Sequence, residues 1–253
     1  GAVLLLAVPG SGKTTVLVTR LGYMLCCCGI PADRILTMTY TKAATREMKQ
    51  RFARLFGEDC PDIPEFRTIN GVSSKIIDFY AKTHSGGNAF RLMEDEGLLS
   101  KLVSDLYRAL SGEFATQGVI KELRKNITYV KNSMLDKEEI DDLDTGFEQF
   151  PELYRRYNLA LRKQHWMDYD DQMVYAKTIL EKHADVLTHF QDMFPYICVD
   201  ESQDTSKIQH SIIQLLAQKS GNIFMVGDED QSIYGFRAAY PEALMRFGQT
   251  YPN

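Results

Sequence analysis

The feature that most constrains this chain lies in residues 3–14, where a short apolar run precedes a glycine-rich turn and a helical pattern. The turn contains Gly10 and Gly12, and it is followed directly by Lys13 and Thr14. Glycines let the backbone turn so tightly that successive N–H groups point inward, which makes a nest for an anion. The start of the following helix adds a partial positive charge. The segment therefore predicts a strand, a phosphate-binding loop and a helix.

The side chains of this loop predict a nucleotide bound with Mg²⁺. Lys13 would reach the β- and γ-phosphates, and the Thr14 hydroxyl would coordinate the metal ion. A chance glycine-serine turn is the alternative, which the flanking strand and helix patterns disfavour. The residues expected to bind ATP are Ala7, Val8, Pro9, Gly10, Ser11, Gly12, Lys13, Thr14, Thr15 and, further along, Gln231.

A second apolar run, residues 196–199, ends at the carboxylates of Asp200 and Glu201. Ligands of open α/β sheets bind at the carboxyl ends of strands, so we expect this pair beside the phosphate loop. Asp200 would hold Mg²⁺, directly or through water, and Glu201 would orient and deprotonate the attacking water. Alone, such a pair is more often a polar strand end, but the phosphate loop favours the catalytic interpretation.

A third segment, residues 226–237, runs from an apolar strand into a polar turn and then two aromatic residues. Gln231 can both donate and accept hydrogen bonds, so it can report whether a γ-phosphate is present and joins Lys13 and Glu201 as a catalytic candidate. Tyr234 and Phe236 offer flat surfaces on which unpaired bases stack, worth about 1–3 kcal/mol per base. Spacing alone leaves core packing of both aromatics an equally good interpretation.

The arrangement of apolar runs indicates an α/β fold. Continuous apolar strands joined by helices indicate a parallel sheet covered on both faces. Between about residues 88 and 165 the periodicity is helical, with no convincing strand. We therefore expect an α/β domain made of residues 1–87 and 166–253, interrupted by an all-helical insertion subdomain at residues 88–165. The expected strands are residues 3–8, 35–40, 196–200 and 223–226, and the expected helices are residues 14–28, 42–56, 72–83 and 207–218.

Several separate segments resemble, in order, the motifs of the first RecA-like domain of a UvrD/PcrA/Rep-type superfamily 1 helicase, including its inserted helical subdomain. The last two of these segments are specific to that family rather than to phosphate-loop proteins at large. The matching segments are residues 7–14 (motif I), 37–44 with Glu47 and Met48 (motif Ia), 68–70 (a diverged motif Ib), 168–171, 199–205 (motif II) and 227–237 (motif III).

The resemblance implies a RecA-like P-loop NTPase fold and ATP-driven movement along single-stranded DNA, usually 3′ to 5′, in repair, replication or recombination. It also implies a second RecA-like domain, outside these residues, that supplies facing arginines. We therefore expect the 253 residues alone to hydrolyse ATP weakly or not at all. The residues that inherit the DNA track by position are Met38, Thr39, Thr68, Asn70, Tyr234, Phe236 and Arg237.

Some residues depart from the family pattern, and two alternatives stay open. Met38 stands where the family usually has phenylalanine, Asn70 where it usually has histidine, and Thr15 where many members have an arginine against the adenine. A helicase–nuclease of the same superfamily is one alternative. Another P-loop NTPase, such as a small-molecule kinase, is the other, although a kinase needs neither a base-stacking pair nor a glutamate that activates water.

Composition limits the remaining classes. A net charge of −5 excludes a basic DNA-packing protein, although not a local basic track. No apolar run approaches the roughly 20 residues of a membrane span, so we expect no membrane partner. The five cysteines lack zinc-ligand spacing, and reduced thiols in the cytoplasm are the simplest interpretation. The five histidines are scattered along the chain in no metal-ligand pattern.

Overall fold

The computed structural model of the chain describes residues 1–8, 10–84, 86–87, 90–228, 239–240 and 242–252. The strands are β1 (Val3–Leu6), β2 (Ile35–Thr39), β3 (Glu65–Thr68), β4 (Arg91–Leu92), β5 (Trp166–Met167), β6 (Tyr196–Val199) and β7 (Ile223–Gly227). The helices are α1 (Lys13–Gly22), α2 (Lys42–Phe56), α3 (Ile69–His84), α4 (Glu96–Ser111), α5 (Gln117–Ser133), α6 (Lys137–Asp141), α7 (Phe150–Lys163), α8 (Tyr169–Lys182), α9 (Ala184–Met193), α10 (Lys207–Ala217), α11 (Glu242–Met245) and α12 (Phe247–Thr250). A π-helical turn at Tyr23–Cys27 extends α1, and short 3₁₀ turns lie at Ala32–Arg34 and Ser202–Asp204.

The central sheet is parallel and has the strand order β1–β7–β6–β2–β3. Two of the four neighbouring pairs, β1–β7 and β6–β2, are not consecutive in sequence, and because every pair is parallel, each connection must cross over the sheet. Since all five strands run the same way, their carboxyl ends meet at one edge, which is where open α/β sheets bind ligands. The strand order therefore decides which of the predicted site residues become neighbours.

Alternate residues of each strand enter two hydrophobic cores, one on each face of the sheet. In β2, Ile35 packs with α1 and α2, whereas Leu36 and Met38 pack with α3, α8, α9 and α10. In β6, Cys198 joins the first core and Ile197 joins the second. Full burial of an aliphatic side chain stabilises a fold by about 1.5–3 kcal/mol, so both faces hold the sheet edge in place.

A third core belongs to α4, α5 and α7, which follow α3 in the chain. α5 begins after Thr116, whose side-chain oxygen accepts a hydrogen bond from the Val119 N–H, and Asp95 caps α4 similarly. The buried Leu123 and Leu153 join α5 to α7 in this core. The two-residue strands β4 and β5 pair at its base. The division at residues 88 and 165 into domain and insertion remains our proposal.

The α/β architecture with a parallel sheet, expected from the sequence, is confirmed. One correction concerns residues 88–165, where β4 forms a short strand that pairs in parallel with β5. Two residues are too few to produce any periodicity. The sequence pattern also does not predict β3, because a four-residue segment that includes charged Glu65 and Arg67 forms no continuous apolar run. Within the described residues, no helix is both long enough and apolar enough to cross a bilayer.

The cysteines differ from the expected set of reduced thiols. Cys26 and Cys60 form a disulfide bond, with their Cα atoms 6.3 Å apart. Cys26 lies in the π-helical turn after α1, and Cys60 follows α2, so the packing of α1 against α2 joins positions that linear spacing does not connect. Cys27 and Cys28 are exposed free thiols. Cys198 is buried in the sheet, and burial raises the pKa of its thiol to about 12, which leaves it unreactive.

Candidate nucleotide site and adjoining cleft

The phosphate loop and two acidic residues lie together because β1, β7 and β6 are neighbours in the sheet. The loop follows β1, Asp228 follows β7, and Asp200 follows β6. The Ala7 N–H donates a hydrogen bond to the Gly227 carbonyl over 3.1 Å, which extends the β1–β7 pairing to the first residue of the loop. The predicted phosphate loop, the predicted Asp200 and the newly identified Asp228 therefore lie along the same half of the sheet edge.

The loop has the backbone that an anion nest requires. Gly10 and Gly12 have φ angles of 76° and 85°, in the left-handed region that glycine adopts without the strain of a Cβ atom. Gly12 is also the N-cap of α1, and its carbonyl accepts the Val16 N–H over 3.0 Å. Ser11 is exposed and Thr14 is half-buried in the first turn of α1. The first N–H groups of α1, which have no partner within the helix itself, therefore lie beside the loop.

Lys13 folds back onto the sheet edge. Its ammonium donates to the Ala7 carbonyl and to Asp228 Oδ2, each over 3.0 Å. The Asp228 side chain is 0% exposed, whereas that of Lys13 is 10% exposed. The ammonium thus neutralises a buried carboxylate while it lies beside the loop that would hold the phosphates.

Asp200 presents an unsatisfied carboxylate oxygen at the end of β6. Its backbone N–H donates to the Met38 carbonyl over 2.9 Å, but its buried Oδ1 has no hydrogen-bond partner among the described residues. Burial, and next to it the charge of Glu201, raises the pKa of Asp200 to about 6. Burial penalises an ionised carboxylate, and a bound cation would remove that penalty. The buried Asp200 oxygen without a partner, together with the hydroxyl of Thr14 in the first turn of α1, fits a hard cation such as Mg²⁺.

The residues after Asp200 connect the two acidic strand ends. Gln203 donates through Nε2 to Glu201 Oε2 over 2.6 Å and accepts the Asp228 N–H at Oε1 over 2.9 Å. Ser202 donates through Oγ to the Val226 carbonyl over 3.0 Å. Glu201 itself has a φ of 50°, an uncommon conformation for a residue with a side chain. This backbone conformation ends the extended strand at Glu201, and the hydrogen bond from Gln203 fixes the position of the Glu201 carboxylate.

A cleft of about 750 Å³ lies where the second half of the sheet edge meets the inserted helices. One wall comes from the ends of β2 and β3 and the start of α8, and the other comes mainly from α5. The lining mixes aromatic rings, amides and two lysines. Its residues are Tyr40, Lys42, Thr68, Asn70, Lys125, Asn126, Thr128, Tyr129, Asn132, Leu143, Tyr169, Asp170, Met173 and Gln209.

The structure places the four described DNA-track candidates in two different environments. Thr68 and Asn70 line the cleft. Met38 and Thr39 are 0% and 1% exposed, so they present no surface to a nucleic acid, which corrects the expectation of direct contact. β2 is a central strand with both faces covered, and this buries the residues at its carboxyl end. The chain first reaches the cleft surface at Tyr40, directly after β2.

The remaining predicted residues divide between exposed and undescribed positions. Thr15 is exposed on α1, where the Arg51 guanidinium reaches its hydroxyl over 3.4 Å. Val8 is exposed and Ala7 is half-buried. The predictions for Pro9, Gln231, Tyr234, Phe236 and Arg237 lie outside the described residues.

A buried lysine joins the inserted helices to the α/β layer. Lys131 of α5 lies 2.7 Å from Asp168 Oδ2 and 2.8 Å from Asp171 Oδ1, and its side chain is 2% exposed. Tyr157 of α7 donates to Asp168 Oδ2 over 2.9 Å. Burial alone would lower the pKa of Lys131, but the two carboxylates outweigh it and raise the pKa. The ammonium therefore stays charged and ties α5 and α7 to the start of α8.

The same network positions Tyr169 in the cleft. Asp168 caps α8 by accepting the Asp171 N–H over 2.7 Å, and Asp171 accepts the Asp168 N–H in return, which is a capping box. Burial opposes ionisation of Asp168, but the charge of the Lys131 ammonium outweighs burial and lowers the pKa of Asp168. Tyr169 is the next residue, and its carbonyl accepts the Asn70 amide over 3.0 Å.

Sequence reasoning missed three contributors to this region. Asp228 has the same signal as Asp200, an acid directly after an apolar strand, and that parallel could have identified it. Gln203 lies within a recognised motif, but only the fold shows that it bridges two strand ends. Lys131 has no signal in the sequence, because its partners are far along the chain and become neighbours only through helix packing.

Comparisons with known proteins identify the family of the chain. The family described as the UvrD/REP helicase N-terminal domain matches residues 1–252. The chain is 31% identical, over its whole length, to an ATP-dependent DNA helicase PcrA of Leuconostoc citreum and to a putative ATP-dependent DNA helicase YjcD of Bacillus subtilis strain 168. It is 30% identical to an ATP-dependent DNA helicase PcrA of Staphylococcus aureus strain Mu50. The chain covers 34%, 33% and 34% of these relatives, or about one third of their length.

Proposed function

Because this chain belongs to the UvrD/REP helicase family, as its N-terminal domain, we propose that it is the ATP-binding core of a DNA helicase that moves along single-stranded DNA. The direction we propose is 3′ to 5′, and the process is repair, replication or recombination of DNA in the cytoplasm. Both follow from the family resemblance of the motifs rather than from any one residue.

The order of the strands is the observation that carries this proposal. It divides one sheet edge into a half with the phosphate loop, Asp228 and Asp200, and a half that opens into the polar cleft. β6 and β2 lie side by side at the boundary, where the Asp200 N–H donates to the Met38 carbonyl. The proposed nucleotide site and a cleft suited to a polymer would thus share one edge of the sheet.

In the nucleotide half, the residues of this chain would bind and orient Mg²⁺-ATP. The loop N–H groups and the Lys13 ammonium would hold the phosphates, and Thr14 and Asp200 would hold Mg²⁺. The metal ion would neutralise phosphate charge as it develops during transfer. Glu201 would accept a proton from the attacking water, and its fixed bond with Gln203 would keep it in place.

In the cleft half, the lining suits a flexible nucleic-acid strand. Lys42 and Lys125 would pair with phosphates, and such contacts weaken as salt rises. Tyr40, Tyr129 and Tyr169 offer rings on which unpaired bases would stack. Base-edge readout is not needed for this binding, which accords with a protein that must move over any sequence.

The buried motif residues would link the two halves. Thr39 contacts Thr45 of α2 through their hydroxyl oxygens over 2.6 Å, and Thr41 caps α2 by accepting the Ala44 N–H over 3.0 Å. Lys42, the first residue of α2, lines the cleft. A shift of Asp200 on binding Mg²⁺-ATP would therefore reach β2 and the α2 start. We propose that Met38 and Thr39 act through this connection.

The experiment that tests the proposal measures DNA binding and its response to nucleotide. Fluorescence anisotropy of a labelled single-stranded oligonucleotide would be recorded with Mg²⁺-ADP, with a non-hydrolysable ATP analogue and without nucleotide. We expect Lys42→Ala and Lys125→Ala each to weaken binding and to reduce its salt dependence. Lys101→Ala, an exposed lysine of α4 outside the cleft, is the matched control. Equal affinity for all three variants and no response to nucleotide would contradict the proposal.

A further inference from the structure

Two imidazoles and a carboxylate come together on a surface that shares no residue with the nucleotide site or the cleft. They are His84 at the end of α3, His183 at the turn between α8 and α9, and Asp185 in the first turn of α9. One ligand atom of each lies within 4.8 Å of the others. Sequence analysis found no metal-ligand pattern among the histidines, because these positions meet only when α3 packs beside α8 and α9.

We propose that His84, His183 and Asp185 bind a divalent transition-metal ion of the Zn²⁺ type. Two nitrogen ligands and one oxygen suit Zn²⁺, Co²⁺ or Ni²⁺, whereas Mg²⁺ and Ca²⁺ prefer oxygen alone. His84 Nε2 lies 3.1 Å from Asp185 Oδ2. Two ligands of one tetrahedral ion with bonds of about 2.0 Å lie about 3.3 Å apart, so this pair already has the required spacing. A fourth position would remain for water.

The hydrogen bonds around His84 favour a free ring nitrogen toward the cluster. The Thr83 hydroxyl donates to the Phe79 carbonyl over 2.8 Å, so its oxygen can accept from His84 Nδ1, which is 2.7 Å away. With Nδ1 as the donor, a neutral ring carries its lone pair on Nε2, which faces the Asp185 carboxylate. Two lone pairs repel each other unless a proton or a cation lies between them. Orientation of a metal-binding imidazole by its second nitrogen is the usual arrangement in proteins.

The aromatic ring of Tyr80 organises both histidines. It stacks on the His84 ring, with centroids 5.0 Å apart and planes 13° apart, and contacts the His183 ring at 4.6 Å. Tyr80 and His84 are four residues apart on α3, so they share one face of the helix. His183 caps both α8 and α9 with a non-helical backbone, so its ring can turn toward the other two ligands.

A metal ion at this site would cross-link the segments of the chain that precede and follow the inserted helices. His84 precedes the insertion, and His183 and Asp185 follow it, so coordination would tie the two ends of the inserted segment together. Because the unfolded chain does not hold these ligands together, binding would add to the stability of the folded state. The inference is independent of the proposed helicase function, since no residue is shared.

The test is a titration with Co²⁺, whose visible absorption reports its ligands. Cys27 and Cys28 are exposed thiols that also bind such ions, so the 253-residue chain is prepared with Cys27→Ser and Cys28→Ser. We expect one equivalent of Co²⁺ to give d–d bands without a thiolate charge-transfer band, and Zn²⁺ to displace it. His84→Gln and His183→Gln should each lower the affinity at least about 10-fold.

A neighbouring histidine supplies the control. His189 stacks on Phe79 with centroids 4.0 Å apart and lies outside the cluster, so His189→Gln should bind Co²⁺ like the parent. Circular dichroism verifies that each variant is folded, and Asp185→Asn, at an exposed position, tests the third ligand independently. Absence of d–d bands in the parent would overturn the proposal. If His84→Gln and His183→Gln bind Co²⁺ with the same affinity as the parent, the proposal is overturned as well.

Discussion

The Lys13 ammonium lies 3.0 Å from the carboxylate of Asp228, a side chain that is fully buried beside the phosphate loop. The lysine that would bind phosphate therefore also neutralises a structural charge. Removal of one partner of a buried ion pair is strongly destabilising, because the other charge stays desolvated. Loss of activity in a Lys13 variant thus has two causes, and they must be separated.

We expect Lys13→Ala to lower the free energy of unfolding by about 3 kcal/mol and to weaken nucleotide binding about 10- to 100-fold, since a charge-assisted phosphate contact is lost. The double variant Lys13→Ala/Asp228→Asn should recover much of the stability without recovering the affinity. Urea unfolding and calorimetric titration with Mg²⁺-ATP measure the two effects. Recovery of affinity in the double variant would show that Lys13 acts through folding rather than through the phosphates.

The ring of Tyr169 is expected to carry part of the single-strand affinity. Because it lines the cleft at a position fixed by the α8 cap and by Asn70, Tyr169→Ala removes a stacking surface without emptying a core. We expect a loss of about 1–3 kcal/mol in binding to an oligonucleotide. Tyr23→Ala, at an exposed tyrosine outside the cleft, is the control. Anisotropy titrations that show the same affinity for both variants would remove Tyr169 from the DNA path.

Lys131 is expected to determine the attachment of the inserted helices. Lys131→Met leaves Asp168 and Asp171 buried without their cation, which should cost about 3–5 kcal/mol of stability. Lys125→Met on the same helix should cost little, because its pair with Glu122 is exposed. The single tryptophan, Trp166, lies in β5 two residues before Asp168, so its fluorescence reports this junction during urea unfolding. Equal unfolding midpoints for the two variants would contradict the network's role.

The site parts that sequence predicts well are those whose chemistry is local. A glycine-rich turn after a strand, or a carboxylate directly after one, needs only the strand to be recognised, and Lys13, Asp200 and Glu201 lie together as the strand order allows. The opposite wall of the cleft could not be predicted, because Lys125 and Tyr129 reach it through packing of α5 against the sheet domain. Only the folded arrangement shows that wall.

Side-chain burial and contacts between helices remote in sequence explain where the other predictions differ from the structure. The motif that contains Met38 and Thr39 marks the correct strand, but a central strand covered on both faces hides the residues at its end. The Cys26–Cys60 bond and the His84–His183 cluster depend on helix pairs that are remote in sequence. In each of these cases the residue type carried the chemical information, and the tertiary packing determined which atoms meet.

His210 makes the stability of the chain sensitive to acid. Burial lowers the pKa of His210 to about 4, from a usual value near 6.5. Between these values the unfolded chain binds a proton that the folded chain does not, so stability is full above pH 6.5 and falls as the pH drops toward 4. The loss should reach about 3 kcal/mol. His210→Gln should unfold with a flatter pH dependence than the parent across this window, as urea unfolding at a series of pH values measures.

The slow hydrolysis expected of these 253 residues follows from the cationic groups that would face the phosphates of a bound nucleotide. Lys13 and the Asp200–Glu201 pair would act from the sheet edge, whereas transferred phosphoryl charge also needs cationic stabilisation from the opposite side. In this family's mechanism we propose that facing arginines come from a second RecA-like domain, in the two thirds of the relatives that this chain does not match. An arginine of this kind is worth about 10³–10⁵ in rate, so we expect turnover at least about 10³-fold below that of a full-length PcrA-type relative. Steady-state ATP hydrolysis with and without single-stranded DNA measures this, with Glu201→Gln as the blank. DNA-stimulated turnover at the relative's rate would show that the residues described here are sufficient.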